Sequence, residues 1–162
     1  MFVYSVKASQ IKLAALVLAV VLAAGTLLYI SHKEKPVNDD GGINLQASTA
    51  AERKAFLSQF GWEFDEEPTE VTEVLIPEDF DDTYQNYNSV QQEQNMDLWA
   101  LRGKRVKRWT YTVKNYPGYE KKPGTVQANI LVYDGVVVGG DVCSLEPKGF
   151  LQGFSFPADA GH

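Results

Sequence analysis

Cysteine and histidine are nearly missing from this chain of 162 residues: one cysteine, Cys143, and two histidines, His32 and His162. A single thiol excludes an internal disulfide, so the fold has to be held by packing alone even in an oxidising compartment. Histidines placed far apart towards the two ends leave a serine or cysteine nucleophile in the middle without its usual base. One cysteine with no clustered histidine also excludes the common zinc sites. There is no phosphate-cradling glycine loop and no dinucleotide fingerprint. No cofactor and no metal are therefore expected. The acidic cluster Asp79-Phe80-Asp81-Asp82 lacks the spaced ligands, central glycine and closing glutamate of a calcium loop, and its charges suit the positive end of a helix instead. These absences lean against an enzyme.

Charge is missing altogether from residues 13–30, LAALVLAVVLAAGTLLYI. At about 1.5 Å per residue this run makes a helix of roughly 27 Å, close to the hydrocarbon thickness of a bilayer. It reads as a transmembrane helix, and the membrane is the first expected partner. Residues 1–12 form a short tail with Lys7 and Lys12, while Lys33 and Lys35 lie just beyond the other end. The lysine balance barely orients the span. A short basic tail before an N-terminal apolar run reads as a signal anchor, with residues 1–12 cytoplasmic and the rest outside. The alternative is a cleaved signal peptide, with Ala23, Ala24 and Gly25 near the cut and a secreted product. Residues 31–46, with Pro36, Asp39, Asp40, Gly41 and Gly42, read as a flexible linker.

Residues 47–156 suffice for one small domain with a single core. Thr49-Ala50-Ala51-Glu52 is a capping box, Phe56, Leu57 and Phe60 form a helical stripe, and Gly61 ends it. Residues 70–76 have the β-branched content of a strand that Pro77 closes. Asp79 is placed to cap a second helix with Phe80, Tyr84, Tyr87 and Val90 along one face, and Asn95 to stop it. Residues 105–114 alternate as a strand, Trp109, Tyr111 and Val113 facing one way and Arg108, Thr110 and Thr112 the other. Val126, Ala128, Ile130 and Val132 mark another strand, and Asp134-Gly135 turns it into a return strand ending near Ser144. The expectation is an α+β domain of order α-β-α-β-β-β, with a roughly four-stranded antiparallel sheet and both helices on one face. Thr110 then lies on the face away from the helices. Residues 157–162 read as a disordered tail.

Several of these motifs occur together in one known family. Phe60-Gly61-Trp62-Glu63, Ile76-Pro77, Tyr87-Asn88, Asn115-Tyr116-Pro117, the run Leu131 through Gly135 and Gly139-Gly140-Asp141-Val142-Cys143-Ser144 carry the likeness. In them the chain resembles a family of short, N-terminally membrane-anchored proteins from Gram-positive anaerobic bacteria, known as a domain of unknown function. The resemblance covers about residues 51–154. It implies an extracytoplasmic bacterial protein and supplies no activity, ligand or catalytic residue.

Charge is segregated along the domain. From Glu52 to Ala100 thirteen acids face two bases, whereas from Leu101 on nine bases face five acids. The basic cluster, with Arg105 and Arg108 beside Trp109 and Tyr111, is the candidate binding surface, for an envelope protein or an anionic cell-wall polymer. An outside domain on a chain of net charge −6 does not suit nucleic acid. One acid has a geometric argument. A two-residue hairpin at Asp134-Gly135 sets Ala128 opposite Asp141 and turns Asp141 into the core, beside Cys143. Gly139-Gly140 favours instead a β-bulge, which shifts the register by one residue and turns Asp141 outward. The function expected is a membrane-anchored extracytoplasmic interaction module without catalysis. The alternative is a carboxylate-dependent enzyme acting on cell-wall or extracellular substrate, with Asp141 as its catalytic acid.

Overall fold

A computed structural model describes residues 42–158 of the chain. The N-terminal tail, the apolar run 13–30 and most of the linker lie outside the described residues, as does the end of the tail, 159–162. Among the described residues no helix is long and apolar enough to cross a membrane.

Helix α1 is Ala50–Ser58, opened by the capping box that its sequence announces. Thr49 Oγ1 accepts from the Glu52 amide at 3.2 Å, and the Glu52 carboxylate accepts from the Thr49 amide at 2.8 Å. Gly61, just past the helix, takes φ +85°, which an L side chain resists. Strand β1 is Glu70–Leu75 and helix α2 is Asp82–Glu93. A short 3-10 turn, Leu98–Leu101, leads into β2, Arg105–Thr112, then β3, Val126–Tyr133, and β4, Val136–Ser144. A final two-residue strand, β5, is Leu151–Gln152. The five strands form one antiparallel sheet in chain order.

Three expectations are corrected here. The sheet has five strands rather than four, because Leu151 and Gln152 pair with Cys143 and Val142 in a segment too short to show alternation. The N-cap of α2 is Asp81, not Asp79: Asp81 accepts from the Tyr84 amide at 2.8 Å, while Phe80 turns into the core before the helix begins. Most consequential, the two helices do not share a face. Phe56 and Leu57 of α1 join Tyr111, Ala128, Ile130 and Val142 in one core cluster. A second cluster holds Phe80, Leu98, Val106 and Leu131, with Tyr84 and Tyr87 of α2 packed on it. Alternation puts Ala128 and Ile130 on one side of β3 and Asn129 and Leu131 on the other, so the sheet lies between the helices. The physical sign is β3 itself, buried at every position from Ala128 to Val132, as a strand covered on both faces must be.

The bulge is present, one residue earlier than Gly139-Gly140. Val132 pairs with Val137, but Leu131 pairs with Gly139, so Val138 is the extra residue. The Asp134-Gly135 turn itself is tight, with φ +48° and +78°.

Candidate functional site

Beyond the bulge the shifted register sets Asn129 opposite Asp141 and Ala128 opposite Val142. Asp141 therefore leaves the α1 face, as the bulge requires. It does not reach solvent, because α2 covers the face it turns to, and it is 4% exposed. Thr110 is 2% exposed rather than on a free surface.

In register, Glu70, Thr110, Asn129 and Asp141 form one row across β1 to β4. The polar groups of that row are chained. Thr110 Oγ1 donates to Asn129 Oδ1 at 2.8 Å, Asn129 Nδ2 donates to Asp141 Oδ2 at 3.0 Å, and the Tyr87 hydroxyl donates to Asp141 Oδ1 at 2.9 Å. Asn129 Nδ2 also lies 3.6 Å from Cys143 Sγ. At the outer end Arg108 Nη2 donates to Glu70 Oε2 at 2.7 Å.

The inner end of the row, Asn129 and Asp141, lines a cavity of about 320 Å³ between α2 and the sheet. Tyr84, Tyr87, Val74, Leu131 and Leu151 give it largely apolar walls, and Arg108, Asn129, Asp141 and Cys143 supply its polar groups. Leu151 is half exposed at the rim. Besides the bonds from Tyr87 and Asn129, the Cys143 side chain hydrogen-bonds the same carboxyl.

Burial sets the protonation chemistry. It holds the Asp141 carboxyl above its ordinary value, against the hydrogen bonds from Asn129 and Tyr87 that favour the charged form. Cys143 is pushed up to about 12 by burial and then by the neighbouring Asp141 charge. Tyr87 is raised as well, for the same two reasons in the same order. At neutral pH the site thus offers a thiol and a phenol, neither of them ionised, and one carboxyl.

What docks α2 here was not singled out from the sequence. Gly140 stays in register with Ile130, and Gln91 Oε1 accepts from its amide at 2.7 Å while Gln94 Nε2 donates to its carbonyl at 2.9 Å. Gln91 is fully buried. A glutamine 49 residues before the glycine it holds has no sequence signature of this role.

The four residues proposed from sequence as a binding surface are split by the sheet. Arg108 borders the Asp141 cavity. Arg105 and Trp109 lie on the α1 face, Arg105 exposed and 3.5 Å from Glu73. Tyr111, also on that face, is wholly buried and is not available to a ligand at the surface. Among the described residues no group of three or more His, Cys, Asp or Glu side chains is placed to hold a metal ion.

Residues 56–142, more than half of the chain, match the family described as a domain of unknown function, DUF4830. The matched span runs from α1 into β4 and includes Tyr87, Arg108, Asn129 and Asp141. No curated protein and no solved structure matches the chain.

Proposed function

The chain belongs to the DUF4830 family, a domain of unknown function, and on that premise we propose that it is a membrane-anchored extracytoplasmic interaction module without catalysis, whose docking point is the Asp141 cavity. The anchor in this reading is the uncharged run 13–30, and the setting is the bacterial envelope that the sequence resemblance implies. The carrying observation is an apolar-walled cavity, bordered by the half-exposed Leu151, whose floor presents one buried carboxyl. An apolar side chain with a hydrogen-bond donor at its tip, offered by an envelope protein, fits both features. A Cys143 thiol that is not ionised at neutral pH supports binding over thiol-based turnover. So does the single carboxyl in the cavity, since glycoside hydrolysis ordinarily takes two.

One observation favours the second reading, a carboxylate-dependent enzyme acting on cell-wall or extracellular substrate. A carboxyl held above its ordinary value by burial is how a general acid is prepared.

Photocrosslinking separates the two. A photoreactive residue in place of Leu151 or Tyr84, in the full-length chain in cells, is expected to give one discrete protein adduct. Recovery on the insoluble wall fraction instead identifies a cell-wall polymer as the occupant. If neither adduct forms and Asp141→Asn abolishes a wall-modifying activity while the fold is retained, the enzyme reading replaces ours.

A further inference from the structure

The opposite face of the sheet carries a separate feature. Arg53 of α1 is 6% exposed, yet among the described residues no carboxylate lies within ion-pair distance of it. Its guanidinium carbon lies 3.5 Å from the Trp109 ring centroid, a cation–π stack. Its two hydrogen bonds both leave from Nη1, to the carbonyls of Ala47 at 3.0 Å and Ser48 at 3.3 Å. Nε is buried without a partner. A buried guanidinium that lacks a counter-charge is costly to the fold, because a stacked ring and two carbonyls replace only part of its lost hydration.

Arg53 lines a cleft of about 440 Å³ together with Trp109, Arg105 and Lys107. Lys107 makes no ion pair among the described residues, and Asp134 is the only carboxylate among the residues that line the cleft. Arg105 is held only loosely by Glu73 on β1. Three cations from α1 and β2 thus converge on one concavity against two acids, Asp134 in its lining and Glu73, which stands opposite Lys107 on β1. Alternation on β2 puts Arg105, Lys107 and Trp109 on the same side, and α1 supplies Arg53 from above.

We propose that this cleft is an anion site that takes a phosphate group, with the Arg53 guanidinium on Trp109 as its fixed charge and Arg105 and Lys107 as its outer clamp. Phosphate suits the arrangement better than a lone carboxylate, because several oxygens are needed to meet cations arriving from two elements. This site is independent of the Asp141 cavity, which lies across the sheet. A phosphodiester in an envelope polymer and a phospholipid headgroup present the same chemistry.

Thermal unfolding of the full-length chain in a neutral detergent, with inorganic phosphate exchanged for chloride at constant ionic strength, tests the proposal. At ten times its Kd, phosphate is expected to raise the ratio of folded to unfolded chain about eleven-fold. Arg105→Gln with Lys107→Gln, both exposed substitutions, is expected to remove that increment while leaving the midpoint in chloride unchanged. Equal midpoints in phosphate and chloride for the unsubstituted chain would overturn the proposal and leave Arg53 a structural clamp on the 47–48 segment. Retention of the increment in the double variant would overturn it too, by placing the anion elsewhere. A glycerol phosphate oligomer and a short-chain phosphatidylglycerol below its micelle concentration then distinguish the two sources by which one competes with inorganic phosphate.

Discussion

Asp141 is the residue on which stability and function meet. Burial raises its folded-state value above the ordinary aspartate value of 3.8, so ionisation opposes folding. Stability associated with this group is complete below the ordinary value and declines as pH climbs through the raised one. Asparagine at the same position does not titrate, and its amide fits the chain of hydrogen bonds. Asn129 flips to accept from it, and the Thr110 hydroxyl, both donor and acceptor, follows. Asp141→Asn is therefore expected to gain stability relative to the unsubstituted chain as pH rises from 4 to 8, with little difference at the acid end. Urea unfolding followed by circular dichroism at the two pH values measures it, and a gap that stays constant would show that Asp141 is not held up by burial. Tyr87→Phe deletes a donor to the same carboxyl and is expected to cost about 1–2 kcal/mol at neutral pH, measured in the same way.

At the scale of elements, the weak point is the join between β4 and α2. Gly140 has φ +147°, and a Cβ there would lie 2.1 Å from the Asn129 carbonyl oxygen and 2.4 Å from the Phe154 ring. Gly140→Ala is expected to cost roughly 2–4 kcal/mol, since neither the strand carbonyl nor a buried ring can give way. Gly118→Ala is the control: φ is +81° but the space is open, so only the left-handed strain of about 1–2 kcal/mol is lost. Chemical denaturation ranks the two, and equal losses would mean that crowding at the bulge contributes nothing. Local features of this kind were legible in the sequence where the signal is local. The capping box at Thr49, the stop at Gly61, the Asp134-Gly135 turn and the alternation of β2 and β3 each depend on residues within a few positions. The bulge was legible as a tendency of Gly139-Gly140, though its extra residue is Val138. What the sequence hid was non-local. Apolar residues on the second face of the sheet, Val74, Val106 and Leu131, are interspersed with Arg108, Thr110 and Asn129, so that face reads as polar until α2 is seen to cover it. The same concealment affects the site. Asp141 stood out by register, but the depth of its burial follows from α2, and the pairing of Arg53 with Trp109 follows from α1; neither depends on spacing along the chain.

Over the whole molecule, segregated charge is settled within the domain only in part. Acids of the first half meet bases of the second in exposed pairs: Glu70 with Arg108, Glu73 with Arg105, Asp65 with Lys114. Solvent screens such exposed pairs, so they shape the surface potential more than they hold the fold. The anchoring we propose for residues 13–30 makes the side on which position 31 lies the test of where the domain sits, and the chemistry of Cys143 makes that measurable. Its thiol, half-buried and pushed up to about 12, is almost wholly unionised at pH 7.5 and reacts slowly with a maleimide. An accessible thiol with the ordinary value is the fast-reacting one. With an impermeant maleimide added to intact cells that produce the full chain, Ser31→Cys is expected to label and Ser5→Cys to label only after lysis. The reverse pattern would turn the domain inward and remove the envelope reading altogether. Recovery of the labelled Ser31→Cys protein from the medium, without the segment that contains position 5, would instead establish the cleaved and secreted form, leaving the Asp141 cavity and the Arg53 cleft to act on soluble partners.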